Sequence, residues 1–294
     1  MKRVITLIFT ILASNLAYAL KVENGFIVDS RGNKVEEREY KRVLILDPAA
    51  VESFYLMGGE KNIVAIADTA KNPIWPQEKT KSLPKAGTIM KPSIEQVLMY
   101  NPDLVILNTM SESFGESLKA RNLNFLINEG NSFEQILDNL EVYGIVTGKR
   151  ESASKLVKDY SFKLKDIKKK IAEKPLNIKG GFLFSTSPMM VFSPNSLPGE
   201  IFDTLGIENI AKGLPGGRPI VSPEFLLAEN PDLLVGSMAI KNKSDILNSN
   251  PIVKQTKAGK KGNIMIIDSD KILRGTPRVI DALEELYQEL SNVK

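Results

Sequence analysis

The sequence predicts an α/β fold made of two Rossmann-like lobes, each built on a central parallel sheet and joined by one long α-helix. Short apolar runs alternate with segments of helical periodicity in both halves of the chain, a pattern typical of parallel sheets covered by helices. The unit SIEQVLMYNPDLVIL at 93–107 has a near copy, SPEFLLAENPDLLVG, at 222–236. Between the copies, residues 151–173 carry one uninterrupted amphipathic stripe. The repeat indicates two lobes of like build, and the stripe indicates the helix between them.

The first residues predict export from the cytoplasm. Lys2 and Arg3 precede an apolar run, VITLIFTIL, and Ala17-Tyr18-Ala19 follows as an A-x-A cleavage site. The run is too short to span a bilayer. A buried N-terminal strand or helix is the alternative interpretation. We expect a signal peptide over 1–19 and, because no cysteine follows it to carry a lipid, a mature protein that is free in the periplasm.

The composition excludes several kinds of chemistry. The 294 residues include neither histidine nor cysteine, which removes His-based catalysis, Ser-His-Asp triads, disulfides and His or Cys metal sites. Of the 39 basic residues two lie in the leader, which leaves 37 against 35 acidic residues. This balance gives no reason to expect nucleic-acid binding. Any metal must be held by oxygen ligands or methionine, or must arrive inside a chelator.

The first lobe is expected over 20–148. It opens with a hairpin, KVENGFIVDSRGNKVEER, whose turn contains Gly32 and Asn33. Short apolar runs then predict strands buried on both faces, at 42–47, 62–68, 104–107 and 124–128. Segments of helical spacing lie between them, at 49–58, 93–101 and 131–148. Ser93 is expected to cap its helix, with Gln96 completing a capping box.

The linker helix is expected over 149–174 and the second lobe over 175–294. At roughly 1.5 Å per residue, such a helix is about 35 Å long, which is the breadth of a small domain. In the second lobe, strands are predicted at 179–185 and 263–268, on either side of the copied unit. The closing helix is predicted over 276–293.

Together these motifs resemble the periplasmic substrate-binding proteins of ABC importers, of the type whose lobes are joined by a single helix. The resemblance runs from about 41 to 291 and is carried by RVLILDPAAVESFYLMGG, AGTIMKPSIEQVLMYNPDLVIL, LPGGRPIVSPEFLLAENPDLLVG and RGTPRVIDALEEL. Such proteins serve ferric siderophores, haem, cobalamin and related metal chelates. The resemblance therefore implies a binding protein rather than an enzyme, with a permease dimer in the inner membrane as its partner, and we expect a monomer.

The resemblance also implies a role for the repeated glutamate. In the family, each lobe offers one glutamate near the start of the equivalent helix to arginines of the permease, and Glu95 and Glu224 fall on those positions. Two carboxylates on separate lobes would contact both halves of a dimeric permease at once. The alternative is that each glutamate only decorates a helix N-terminus, where negative charge is favoured in any case.

Ligands of open α/β sheets bind outside the carboxyl ends of the strands, so the residues that follow the strands form the expected ligand site. In the first lobe these are Asp47, Trp75, Thr88, Met90 and Met110. In the second lobe they are Ser187, Met189, Arg218, Met238 and Arg274. Arg218 and Arg274 favour an anionic ligand, because a guanidinium binds carboxylates in a bidentate way. The alternatives are a solvated loop arginine, a tryptophan that only packs, and methionines that belong to the core.

Departures from the relatives favour a ferric siderophore or another anionic metal chelate. Haem-binding relatives often have a tyrosine after the glycine that is Gly87 here, and this chain has Thr88. Zinc and manganese binders use histidine clusters, and cobalamin carriers have more aromatic residues in the cleft. Cobalamin, haem and nickel, cobalt or oxyanion species stay as alternatives. A periplasmic carboxylate-dependent hydrolase is a remote one, because no close carboxylate pair or nucleophile motif is found. We expect no cofactor and no metal bound directly by the protein.

Overall fold

The computed structural model describes residues 19–69, 72–238 and 240–291. The predicted signal peptide falls on residues outside this range, apart from Ala19, which is buried at the start of the first strand. None of the helices in the described part of the chain has the length and apolar character needed to cross a membrane.

Two sheets form the N-terminal lobe. Its strands are β1 (Leu20–Glu23), β2 (Phe26–Asp29), β3 (Lys34–Glu36), β4 (Val43–Ile45), β5 (Ile63–Asp68), β6 (Lys85–Thr88), β7 (Leu104–Asn108) and β8 (Phe125–Asn128). Its helices are α1 (Pro48–Met57), α2 (Gln77–Thr80), α3 (Ile94–Met99), α4 (Gly115–Lys119) and α5 (Phe133–Val146), with 3-10 turns at Glu60–Asn62 and Thr109–Phe114. Strands β1 to β3 form an antiparallel sheet that packs against β8 and α5. The others form a parallel sheet of order β6-β5-β4-β7-β8.

Two strand features of the N-terminal lobe differ from the prediction. The opening segment forms two consecutive hairpins instead of one, because Asn24 and Gly25 also turn the chain, with φ of 52° and 80°. The predicted turn is present, with Gly32 at a φ of 81°. The sequence pattern misses strand β6, because this short strand has only one buried residue, Ala86, and so lacks an apolar run.

A single helix, α6 (Arg150–Glu173), joins the lobes and lies within the expected range 149–174. In its first turns, Ala153 packs into the core of the N-terminal lobe. In its last turns, Leu164, Ile167 and Ile171 pack into the core of the C-terminal lobe. The two ends of the helix are therefore anchored in different cores.

One mixed sheet forms the C-terminal lobe. Its strands are β9 (Ile178–Thr186), β10 (Met189–Val191), β11 (Ile207–Asn209), β12 (Leu233–Gly236) and β13 (Ile264–Ile266). Its helices are α7 (Leu197–Leu205), α8 (Pro223–Glu229), α9 (Lys243–Leu247), α10 (Lys257–Lys261), α11 (Ser269–Ile272) and α12 (Arg278–Leu290), with a 3-10 turn at Pro251–Gln255. Helices cover both faces of the sheet, as in the N-terminal lobe.

The mixed character of this sheet comes from its longest strand. β9 pairs in parallel with β12 on one side and with β11 on the other, and β12 pairs in parallel with β13. Only β10 is antiparallel, and it pairs with the end of β9. Because β9 has nine residues, its end extends past β11, and the turn at Ser187-Pro188 folds β10 back onto that end.

The repeated unit begins with the same helix cap in both lobes. The hydroxyl oxygens of Ser93 and Ser222 accept the backbone N–H of the residue three positions on, at 3.3 and 3.1 Å. The predicted capping box at Ser93 is incomplete, because the Ser93 N–H donates to the carbonyl of Ala86 and not to Gln96. The serine cap itself is confirmed.

The repeated unit also ends in the same way in both lobes. Asn101 and Asn230 follow the helices with φ of 43° and 45°, a left-handed conformation that asparagine tolerates better than most residues. Two residues later, Asp103 accepts two backbone N–H groups from the segment before β4, at 2.8 and 2.9 Å. Asp232 likewise accepts one from β9, at 3.0 Å. Each aspartate ties the repeated unit to the neighbouring strand of its own sheet.

Candidate functional site

The lobes meet near the carboxyl ends of their sheets. Glu52, in the helix that follows β4, forms ion pairs with Arg274 and Arg278, which follow β13. Nearby, the backbone N–H of Phe133, just after β8, donates to the carboxylate of Glu200 at 2.6 Å. The boundary between these two sheet edges is the interlobe cleft, where ligands of open α/β sheets bind.

A cluster of four charged residues, called here the interlobe clasp, holds this boundary: Glu52, Asp270, Arg274 and Arg278. The Glu52 side chain is 0% exposed, and its oxygens lie 3.0 Å from Arg274 Nη1 and 2.8 Å from Arg278 Nη1. Arg274 Nη2 pairs with Asp270, one helical turn earlier. A buried carboxylate is stable only when it is paired in this way, so the clasp makes each lobe depend on the other.

The clasp gives Arg274 a structural role. Its side chain is 9% exposed, and Nη1 also donates to the carbonyl of Pro73 at 3.0 Å. The predicted contact between Arg274 and an anionic ligand stays a prediction, and it competes with these internal partners. Sequence reasoning missed Glu52, although it is the only charged residue of α1. A lone charge in an otherwise apolar helix is the signal that could have revealed it.

Two other residues of the predicted site face inward. Asp47 caps α1 and accepts hydrogen bonds from the Ala49 N–H at 3.0 Å, from Asn108 Nδ2 at 3.2 Å and from Asn128 Nδ2. Its burial raises the pKa of the carboxyl, against the effect of these donors. Met189 packs into the core of the C-terminal lobe. Both side chains are therefore buried beneath the edge of a sheet and not exposed in the cleft.

Trp75 lies beside the clasp. Its backbone N–H donates to Glu52 Oε1 at 3.3 Å, and the guanidinium carbon of Arg278 lies 5.2 Å from the centre of its ring. The side chain is nevertheless exposed. Trp75 therefore packs on the clasp, and its stacking on a ligand stays a prediction.

Exposed side chains follow the strands at both sheet edges. Met90 and Met110 are exposed in the N-terminal lobe, and Met238 is exposed in the C-terminal lobe. Thr88 and Ser187, also predicted for the site, are exposed as well. Exposed thioether side chains can adjust to ligands of irregular shape.

Arg218 is the predicted arginine that stays outside the clasp. Its guanidinium carbon lies 4.6 Å from the centre of the Phe184 ring, and no ion pair is found for it within the described residues. Ile220, two residues later, is exposed and pairs through its backbone with Met190 of β10. Sequence reasoning missed Phe184 and Ile220, because only the folding of β10 onto β9 brings the Arg218 loop to this edge.

The paired glutamates of the repeat are exposed and held in the same way. Glu95 accepts a hydrogen bond from the Ser93 hydroxyl at 2.9 Å. The pKa values of Glu95 and Glu224 lie below the ordinary value, because each residue's own backbone N–H and the hydroxyl of the capping serine, Ser93 or Ser222, donate to the carboxylate. Both side chains are therefore negatively charged at neutral pH and available to a partner.

A separate groove lies at the opposite edge of the C-terminal sheet, where β9, β11 and β12 begin. It has a volume of about 600 Å³. Two ion pairs lie within the groove, Lys179 with Glu229 at 3.2 Å and Lys257 with Asp232 at 3.3 Å, and Glu208 also lines it. It lies away from the carboxyl ends and is not the candidate ligand site.

In the part of the chain that the structure describes, no three or more Asp or Glu side chains come together in a way that could hold a metal ion. The predicted site residues that stay exposed include three methionines, Trp75 and Arg218.

Comparison with known proteins adds three findings. The sequence profile of the family described as periplasmic binding protein matches residues 43–271. An uncharacterized ABC transporter substrate-binding lipoprotein, YvrC of Bacillus subtilis, is 25% identical over 262 residues, which cover 86% of this chain and 81% of that protein. The ferric-anguibactin-binding protein FatB of Vibrio anguillarum is 28% identical over 215 residues, which cover 66% of this chain and 65% of that protein.

The fold itself matches a solved structure. The crystal structure of the periplasmic vitamin B12 binding protein BtuF of Vibrio cholerae superposes with a TM-score of 0.73 at 22% identity. The match covers 87% of this chain and 99% of that one. It extends over both lobes and the helix between them.

Proposed function

The chain belongs to the periplasmic binding protein family, and from this membership we propose that it captures a metal chelate in the interlobe cleft and delivers it to an ABC permease. The first candidate ligand is a ferric siderophore. The predicted signal peptide supports export to the periplasm. The proposed function is binding without catalysis.

One observation carries the proposal for a chelate with negative charge. Arg218 lies at the edge of the cleft, stacked on Phe184 and without an ion pair in the described residues. A guanidinium placed over an aromatic ring still has N–H groups that can donate to a carboxylate or a phenolate. The exposed methionines would contact the apolar parts of the same ligand.

A second candidate, cobalamin, follows from the interlobe clasp. Glu52 and Asp270 occupy Arg274, and Glu52 occupies Arg278, so the cleft has less positive charge than the sequence predicted. A large ligand with little negative charge would suit such a cleft better than a multiply charged chelate. Haem and nickel, cobalt or oxyanion species rank lower, since Thr88 replaces the tyrosine that haem-binding relatives often have.

The lone tryptophan provides the test. The mature protein is titrated with a ferric hydroxamate, a ferric catecholate, haemin and cyanocobalamin while Trp75 fluorescence is recorded. Isothermal titration calorimetry repeats each titration, because haemin and cobalamin absorb light and lower the signal without binding. We expect saturable submicromolar binding of one ferric chelate, weakened by Arg218→Ala. Binding of cyanocobalamin alone would transfer the function to the second candidate.

The docking role of Glu95 and Glu224 is tested separately. The double variant Glu95→Ala/Glu224→Ala should bind the chelate as well as the wild type does and should fail to support uptake. Both side chains lie on the surface, so their removal should leave the fold intact. Loss of chelate binding in this variant would contradict a docking role.

A further inference from the structure

Each lobe presents an exposed leucine beside its repeated glutamate. Leu98 in α3 and Leu227 in α8 stand 129 residues apart, the same offset as Glu95 and Glu224. Their exposed fractions are 46% and 37%. In both helices the leucine follows the glutamate by three positions, which places the two side chains next to each other on the helix surface.

The exposure of these leucines is not a by-product of core packing. The preceding residues, Val97 and Leu226, are both 0% exposed and supply the core contact of each helix. One position later the helix has turned by about 100°, so a polar residue would be the ordinary choice there. A single exposed leucine on a protein surface needs no explanation, whereas the same leucine in both lobes, beside the same carboxylate, does.

The apolar surface is larger on the N-terminal lobe. Met99, next to Leu98, is also exposed, and its counterpart in the C-terminal lobe is Ala228. The shared part of the surface is therefore one carboxylate and one leucine in each lobe, and the N-terminal lobe adds a methionine.

We propose that Leu98 and Leu227 are matched apolar anchors that insert into two like pockets of an ABC permease dimer, next to the cations that meet Glu95 and Glu224. The inference rests on the proposed function and deepens its docking step. A partner with two-fold symmetry offers the same pocket twice, and this chain offers the same pair of side chains twice. The carboxylates provide orientation and fast association, and burial of the leucines slows dissociation.

Charge favours this occupant over a membrane surface. Both carboxylates have lowered pKa values and stay ionised at neutral pH. An anionic lipid surface would repel them at the point where the leucines would have to insert. A permease that presents cations around an apolar pocket satisfies both side chains of each pair.

The test combines variants with site-specific photocrosslinking. The mature full-length protein carries a photoreactive phenylalanine analogue at position 98, 227 or 162 and is mixed with inner-membrane vesicles from its own organism. Phe162 is the matched control, because it is 76% exposed on α6 and lies outside the repeated unit. We expect positions 98 and 227 to crosslink to the same permease polypeptide, and position 162 to crosslink to none.

Binding of the labelled protein to the same vesicles gives the quantitative readout. Leu98→Ala and Leu227→Ala should each weaken binding by about tenfold, the value expected for the loss of a buried leucine side chain. Phe162→Ala should leave it unchanged, and all three variants should bind the chelate normally. If the leucine variants match the control while Glu95→Ala/Glu224→Ala abolishes binding, the apolar anchors are refuted and the proposed function stands. If the wild type binds no vesicles at all, both the docking role of the glutamates and the apolar anchors are refuted.

Discussion

The two lobes repeat one helix-to-strand unit and differ in nearly everything that borders the cleft. Both copies keep the serine cap, the exposed glutamate and leucine, the left-handed asparagine and the aspartate that ties the unit to the sheet. The clasp is divided instead, with the carboxylate of Glu52 in one lobe and both arginines in the other. The features that both lobes share thus lie on the surface proposed for a symmetric partner, and the features that differ between the lobes lie on the surface proposed for the ligand.

The largest effect is expected from removing Glu52, the member of the interlobe clasp that the N-terminal lobe contributes. Glu52→Ala leaves Arg274 and Arg278 without their shared carboxylate in a largely buried position, and removal of one member of a buried ion pair costs about 3–5 kcal/mol in the free energy of unfolding. Urea denaturation followed by circular dichroism measures the loss. The control is Asp281→Ala, which removes a partly exposed partner of Lys163 and should cost about 1 kcal/mol or less. Equal losses in the two variants would refute the clasp.

The next effect separates the two arginines predicted for the ligand. Arg218→Ala should weaken binding of a ferric chelate by about 10–100-fold, since a hydrogen bond to a charged group contributes about 1.5–3 kcal/mol. Arg274→Ala should lower stability and change the affinity of the folded protein little. Fluorescence titration at a temperature where both variants are folded decides between them. An equal loss of affinity in both would return Arg274 to the ligand site.

A smaller effect distinguishes the two aspartates of the repeat, because Asp232 forms an ion pair with the Lys257 ammonium at 3.3 Å and Asp103 forms none within the described residues. Burial acts to raise the pKa of Asp232, but the Lys179 N–H and the Lys257 ammonium outweigh it and leave the pKa below its ordinary value of 3.8. Its contribution to stability is therefore complete above pH 3.8 and is lost as the pH falls through the lower pKa of the folded state.

The matched variants Asp232→Asn and Asp103→Asn test this difference. Asp232→Asn should lower the free energy of unfolding by at most about 1 kcal/mol at neutral pH, because the site is partly exposed and solvent screens it. The loss should shrink below pH 3.8 and in high salt. Asp103→Asn, which removes no lysine pair, should respond less to salt. An Asp232→Asn loss that grows on acidification would contradict the assigned sign.

The smallest effect concerns the asparagines that end the repeated helices. Glycine adopts the left-handed conformation as readily as asparagine does, so Asn101→Gly should leave stability nearly unchanged. Asn230 differs, because its side-chain oxygen also accepts the Lys257 N–H at 2.9 Å. Asn230→Gly should therefore cost about 0.5 kcal/mol, the low end of the range for a hydrogen bond, because this bond is exposed to solvent. Thermal unfolding of the two variants side by side checks the prediction, and equal midpoints would show that the extra hydrogen bond is not worth a measurable amount.

The sequence predicted the parts of this molecule that depend on local pattern. The apolar run at 104–107 predicts a strand buried on both faces, and the apolar stripe of α6 predicts an amphipathic helix. Each kind of burial leaves its own recognisable pattern of apolar residues. The exposed position of Glu95 and Glu224 followed from the repeat. Strand β6 left no such trace, since Lys85–Thr88 buries one residue.

The parts that the sequence did not reveal depend on distant partners. The pairing of Glu52 with Arg274 joins residues 222 positions apart, and no local pattern distinguishes a clasp arginine from a ligand arginine. The placement of Arg218 over Phe184 likewise depends on β10 folding back onto β9. Both arginines follow the same rule about strand ends, and only the fold tells them apart.

The linker helix has a consequence for how an occupied protein is distinguished from an empty one. Helix α6 has 24 residues and is about 36 Å long. Because each end of the helix is fixed in the core of one lobe, the helix sets the distance between the two lobes. We therefore expect relative motion of the lobes to be confined to small rotations, because wider opening would pull apolar side chains of the helix out of a core. In the proposed docking, the permease would contact Glu95 and Glu224 together. A small change in the distance between these two residues would then distinguish the occupied protein from the empty one.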